Sequence, residues 1–246
     1  MQLATGGSML NFGYWIKNTF DPIIAQENLC SYFGEFAELE NAEIVVDVGS
    51  GLSAPAILWR NKYKKLNLFC VNINYSQLVF SGHQKNIQFL NSTSTRLPFI
   101  DESVDRVLAL ESSQHFKPLK DFFCESKRIL KPSGILTIAL PVTLSRASFV
   151  KLGILKFTWS SEHYDLDYVR ELIQSTGFTI KEEKLIGSNV YIPLANYYLE
   201  NRNKLKKSIL LKYPKYVEKI LYLSILKMKK ASEQEIIDYV ILKCKI

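Results

Sequence analysis

The chain has 246 residues, 47% of them hydrophobic, and a formal net charge of +7. That length and apolar content support one well-buried domain and exclude a disordered or low-complexity chain. The charge is local: between residues 201 and 230 ten lysines and arginines stand against the single acid Glu218, and the rest of the chain is near neutral.

In chain order, an aromatic turn at 11–15 (N-F-G-Y-W) precedes a helix expected over 22–39, with Ile23, Ile24, Leu29, Phe33, Phe36 and Leu39 at helical spacing. Residues 44–56 read I-V-V-D-V-G-S-G-L-S-A-P-A. A β-branched run ending in glycines is how a buried parallel strand passes through a tight loop into a helix, here expected over 54–62. Strands at 66–73, 87–90, 104–110 and 135–140 follow, with helices at 75–85 and 119–130, the latter expected to be terminated by Pro132-Ser133-Gly134. A looser connection spans 144–159, then a helix at 165–175, a strand at 178–185 and a final strand from Ile236 that should close the sheet edge. This alternation predicts an α/β fold: a seven-stranded, mostly parallel, Rossmann-like doubly wound sheet with an antiparallel last strand and helical lid or insert elements.

Cys30, Cys70, Cys124 and Cys244 lack any C-x-x-C spacing, which argues for four buried, reduced thiols and against a zinc site or a disulfide framework; no metal ligands are assigned. No stretch is apolar for long enough to span a bilayer, and the first eight residues show neither the basic nor the apolar region of a leader, so a cytoplasmic location is expected. The loop G-S-G-L-S-A satisfies a loose dinucleotide fingerprint, but the end of the next strand carries Asn72 and Asn74 where that reading wants an acid.

Further motifs lie downstream: Val71-Asn72-Ile73-Asn74; Leu97-Pro98-Phe99 with Asp101 and Asp105; Ala109-Leu110-Glu111-Ser112-Ser113-Gln114-His115-Phe116; and Arg128-Ile129-Leu130-Lys131-Pro132-Ser133-Gly134. With Asp47-Val48-Gly49-Ser50-Gly51 they make the chain resemble the class I S-adenosylmethionine (SAM)-dependent methyltransferases. The branch is that of sugar and natural-product O-methyltransferases, ubiquinone/menaquinone-type enzymes and sterol C-methyltransferases. The resemblance implies one domain over 1–246: a helical lid at 1–40, a SAM-binding core at 41–145, acceptor-binding connections and basic helices at 146–235, and an edge strand at 236–246.

It also implies the cofactor residues. Asp47, Gly49, Ser50 and Gly51 would carry the methionine end, and Asn72 with Ile73 and Gln77 the ribose. Thr93 and Ser94 would lie at the adenine, with Tyr14, beside Trp15, as an aromatic lid and Glu111 orienting the site from the strand end. Three positions depart from the pattern. Ser53 replaces the third glycine and is unstrained only at negative φ. Asn72 and Thr93 replace acids, so charge assistance is lost there.

The implied reaction is methyl transfer from SAM to a small-molecule acceptor, O-methylation first. The alternatives are C- or N-methylation of a lipidic or quinone-like acceptor, or a catalytically silent partner subunit. His115 is the expected general base, or else packs at its loop; His163, beside Tyr164, faces the acceptor or starts a helix in solvent. The acid that sugar O-methyltransferases pair with such a histidine falls on Leu140. Val217, Ile220, Leu221, Leu223 or Ser224, and Met228 recur at helical spacing among lysines. That segment is either a helix packed on the domain or a lid attracting an anionic acceptor or membrane surface. Nucleic acid is not the expected partner, since no RNA-binding module interleaves the lysines.

Overall fold

A computed structural model describes residues 9–80, 86–145, 147–159 and 162–246. The first eight residues and the end of the helix expected at 75–85 lie outside them. The strands are β1 (Ile44–Val48), β2 (Asn67–Asn72), β3 (Ile87–Asn91), β4 (Val104–Leu110), β5 (Leu130–Thr143), β6 (Thr179–Leu185) and β7 (Ile237–Lys245). They form one seven-stranded sheet in the order β3-β2-β1-β4-β5-β7-β6. All pairings among β1 to β5 are parallel, and β7 runs antiparallel to both neighbours.

The ten α-helices among the described residues are α1 (Pro22–Phe36), α2 (Ala54–Lys62), α3 (Tyr75–Phe80), α4 (Leu119–Ile129), α5 (Ser148–Lys151), α6 (Leu155–Thr158), α7 (Leu166–Ser175), α8 (Tyr191–Glu200), α9 (Arg202–Leu210) and α10 (Lys215–Glu233). Asp21 caps α1 by accepting from the amides of Ile23 and Ile24, and Asp165 caps α7 by accepting from that of Tyr168.

Because successive strand side chains point to opposite faces, the sheet serves two cores. Val45, Leu108, Ala139 and Ile241 pack under α1, α2, α8 and α10. Val46, Val107, Ile138 and Val240 meet Phe122 and Phe123 of α4 and Val169 and Ile173 of α7. Each large apolar side chain so buried contributes roughly 1.5–3 kcal/mol. Among the described residues no helix is long and apolar enough to cross a membrane.

Three expectations need correction. The final strand is not the edge: β7 is buried from Tyr239 to Leu242 and inserted between β5 and β6. The edge is β6, whose T-I-K-E-E-K-L sequence keeps charge on an open ladder. Helix α4 ends at Ile129, before Pro132, because Leu130 is already extended and pairs with Val104, so β5 starts five residues earlier than expected. Cys124 is exposed, while the other three thiols are buried. The chain also folds into helix α8, which no spacing marked, and α9 joins α10 as the basic helices expected within 146–235.

Two motifs interlock. Arg128 donates to the carbonyls of Phe99 (2.8 Å) and Leu97 (3.0 Å) and to Asp101 (2.8 Å), while Glu125 accepts from the Leu97 amide at 2.8 Å. The arginine turn thereby fixes the L-P-F segment, and with it the loop that follows β3.

Candidate functional site

The glycine loop leaves β1 through Gly49 (φ +75°) and Gly51 (φ +56°), backbone that side-chain-bearing residues rarely adopt. A Cβ on Gly49 would lie 2.5 Å from the Cβ of Ser112, so the loop presses against the end of β4; Ser112 Oγ donates to the Val48 carbonyl at 2.7 Å. A Cβ on Gly51 would instead meet only Leu10, across the mouth of a cavity. Ser53 has φ +57°, not the negative value an unstrained serine needs, and its amide donates to the Ser50 carbonyl at 2.8 Å. Asp47 lies beneath the loop at the sheet centre, where burial pushes its carboxyl up to about 7.

At the end of β2, Asn72 Nδ2 donates to the Gly51 carbonyl (3.1 Å) and to Gln77 Oε1 (2.8 Å), and its Oδ1 accepts from the Asn74 amide at 3.1 Å. A carboxylate has no hydrogen to donate, so the amide at this position cross-links strand and loop in a way an acid cannot. Asn91 Nδ2 donates to the carbonyls of Asn72 and Ile73, both at 2.9 Å. Ile73 is largely exposed, Thr93 is exposed with its hydroxyl 3.2 Å from that of Thr95, and Ser94 is half-buried.

Glu111 ends β4 at φ +50°. Its Oε1 accepts from the Phe12 amide (2.9 Å) and the Tyr239 hydroxyl (3.0 Å), and burial pushes the carboxyl up to about 8. It therefore fastens the N-terminal segment and β7 to the strand end. Gln114 Nε2 donates to the Glu111 carbonyl at 2.8 Å.

These groups share a cavity of about 1080 Å³. One end is polar, lined by Gly49, Gly51, Asn72, Gln77, Thr93 and Ser94; the other is apolar, lined by Phe157 and Trp159 and by residues of α8 and α10. His115 and Glu111 line it from the end of β4. A volume at the top of the usual range for small-molecule pockets has room for two ligands.

Of the residues expected at the site, Gly49, Gly51, Asn72, Ile73, Gln77, Thr93, Ser94, Glu111 and His115 come together on the cavity wall. Asp47 and Ser50 sit behind the loop, outside the lining. Tyr14 stacks on Tyr32 (ring centroids 5.0 Å) and Trp15 is buried against Tyr197, so the aromatic lid corrects to packing; Leu10 and Phe12 reach the cavity instead. His163 lies outside the lining, half-buried with its ring 5.9 Å from that of Trp159, and burial lowers its pKa. Leu140 is buried in the core.

The apolar end was partly legible: Val217, Ile220, Leu221, Ser224 and Met228, one stripe at helical spacing, all line the cavity, while Leu223 faces solvent. Phe157, Trp159, Leu194 and Tyr197 were missed because they come from a connection and a helix that the spacing did not mark, and Gln114, though inside a quoted motif, was given no role.

The sequence profile of a family described as "Methyltransferase domain" matches residues 46–138. The chain is 28% identical over 232 residues to erythromycin 3''-O-methyltransferase of Saccharopolyspora erythraea, covering 85% of this chain and 74% of that one. To a sterol 24-C-methyltransferase of Kluyveromyces lactis it is 21% identical over 198 residues, covering 74% of this chain and 53% of that protein, about half its length. Among solved structures, the cyclopropane synthase MmaA2 from Mycobacterium tuberculosis superposes with a TM-score of 0.81 at 18% identity, covering 97% of this chain and 90% of that chain.

Proposed function

We propose that the chain is a class I SAM-dependent methyltransferase that methylates a hydroxyl of a predominantly apolar small molecule, supported by the methyltransferase-domain match over residues 46–138 and the likeness to erythromycin 3''-O-methyltransferase. The observation that carries this reading is the single cavity joining a glycine-loop wall to an apolar chamber, with His115 on its lining. The polar end fits the cofactor: the open cradle at Gly51 leaves room where a side chain would project, and Asn72 Oδ1, which accepts one hydrogen bond, keeps a second lone pair for a ribose hydroxyl. SAM supplies an electrophilic methyl group.

The chain's own residues do the rest. The loop backbone at Gly49 and Gly51 supports the amino-acid end, with Asp47 and Ser50 bracing it from behind. Gln77 holds Asn72, and Ile73, Thr93 and Ser94 border the adenine end. Phe157, Trp159 and Tyr197 hold the acceptor and exclude water, which favours in-line approach. His115 takes the acceptor proton as general base. The position where sugar O-methyltransferases place an acid is Leu140, which lies inside β5 and is buried in the core, so no carboxylate is offered from there. The same absence, with the likeness to a sterol C-methyltransferase, favours as second reading a carbon or nitrogen acceptor on a lipidic molecule. The matched relative from S. erythraea, an O-methyltransferase by name, supports oxygen. The cationic 201–230 segment serves the approach of an anionic partner.

Calorimetric titration with SAM and its demethylated product tests the reading. Binding of both is expected, and no heat at millimolar ligand would sink it in favour of a silent partner subunit. His115→Ala is expected to slow methyl transfer at least about 100-fold with SAM affinity retained. An unchanged rate would return His115 to packing.

A further inference from the structure

We propose that the outer face of α10, with the α9–α10 connection and α6, docks on an anionic bilayer and turns the apolar mouth of the cavity toward the lipid. The proposed function enters only as the nature of the acceptor; the docking stands on the surface itself.

On α10, Tyr216, Ile220 and Leu223 recur at helical spacing and are 64%, 43% and 41% exposed, while Ser224 and Met228 turn inward. Exposed Lys215, Lys219 and Lys230 alternate with them along the same face. The connection adds Leu211, 86% exposed, and Tyr213. The face is continuous with the cavity. Phe157 of α6 is 85% exposed and lines the chamber, Ile220 does the same from α10, and the two helices pack together. An acceptor leaving this surface would therefore meet apolar side chains all the way in.

Charge identifies the occupant. Glu218, the one acid of residues 201–230, is buried and paired with Arg202 at 2.8 Å, whose guanidinium also lies 3.5 Å over the Tyr222 ring. The segment's surface is thus cationic with no anion of its own. Solvated lysines alone would not require leucine and tyrosine between them, and an apolar partner protein would not require lysines. Basic residues interleaved with partly exposed apolar ones suit the boundary of phosphate headgroups and acyl chains.

Vesicle flotation of the full chain tests this, with phosphatidylcholine alone and with about 30% phosphatidylglycerol at low salt. Binding at least about tenfold stronger to the anionic vesicles is expected, weakened in about 0.5 M salt. The triple variant Leu211→Glu, Tyr216→Glu, Leu223→Glu touches no cavity-lining residue. It should lose vesicle binding at least about tenfold while keeping SAM affinity and helical circular dichroism. Lys215→Glu with Lys219→Glu, a second variant, should also lose it. Equal binding to both vesicles, or a triple variant that floats like the parent, overturns the proposal. So does displacement by millimolar glycerophosphoglycerol, which would mean a free-phosphate site, or by single-stranded RNA binding more tightly than vesicles. Failure of the parent chain to bind SAM would overturn the enzymatic reading and leave the flotation result standing.

Discussion

Asn72 departs from an acid-rich pattern without leaving an empty role. Asn72 donates twice, to Gly51 and Gln77, and both partners are acceptors. Asn72→Asp would set a carboxylate against those two oxygens. A loss of about 1–3 kcal/mol in urea unfolding is expected even though the change restores the residue usual at a ribose-binding position. A stability equal to the parent's would mean that the cross-link is idle. Glu111 is the reverse case, a carboxyl kept protonated by burial. Its native proton is held up to about pH 8, against an ordinary value of 4.5, so between those values the native state binds more protons than the unfolded chain. The stability linked to Glu111 is therefore complete below pH 4.5 and is lost as pH rises through 8; Asp47, raised to about 7, acts in the same direction. Glu111→Gln keeps an oxygen for the Phe12 amide and the Tyr239 hydroxyl. Its advantage over the parent should grow between about pH 5 and about pH 8.5, to on the order of 2–4 kcal/mol in urea titrations. A difference independent of pH would place the carboxyl in an ordinary environment.

At the scale of elements, α10 is held by one ion pair that is not symmetric in burial. The Glu218 side chain is 4% exposed and that of Arg202 31%. Arg202→Ala strands a buried carboxylate and removes the guanidinium over Tyr222, so a loss of about 2–4 kcal/mol is expected. Glu218→Gln, which removes the charge rather than its partner, should cost clearly less, and equal costs would assign the pair a packing role only. The legibility of the elements follows the same physics. Strands β1, β2 and β4 stood out because mostly apolar runs buried on both faces need no alternation, and the loop after β1 because glycine marks positive φ. The antiparallel β7 was legible as a strand but not in its place. A nine-residue strand with an apolar centre, Tyr239 to Leu242, reads alike at an edge and between two neighbours, and the K-E-E-K of β6 was the cue that the edge lay elsewhere. Helix α8 was missed because Tyr191, Leu194, Ala195 and Tyr198 pack inward from a segment with little polar contrast. In the site, Gly49, Gly51, Asn72 and His115 were placed correctly on the cavity wall because positive φ marks the glycines and the other two lie at or just after strand ends in the quoted motifs. Phe157 and Trp159 were not, since an aromatic in a connection carries no spacing.

Across the whole molecule, the cavity divides between two sources. Its polar end belongs to the loops after β1, β2 and β3, fixed by Arg128 and Asn72, whereas its apolar end is made by α6, α8 and α10, packed over the core but separate from those loops. A change in the helical part should therefore alter the acceptor chamber while leaving the cofactor end intact. Leu221 tests this, being half-buried on α10 with its side chain on the cavity wall, so a larger group extends into the chamber instead of overpacking the core. Leu221→Trp is expected to keep SAM affinity within about threefold by calorimetry. With any acceptor that the parent turns over, it should cut kcat/KM at least about tenfold, because a filled chamber removes the volume that positions the nucleophile. A parallel loss of SAM binding would show that the helices and the glycine loop act as one unit. Intact SAM binding with an unchanged kcat/KM would place the acceptor outside the chamber under α10.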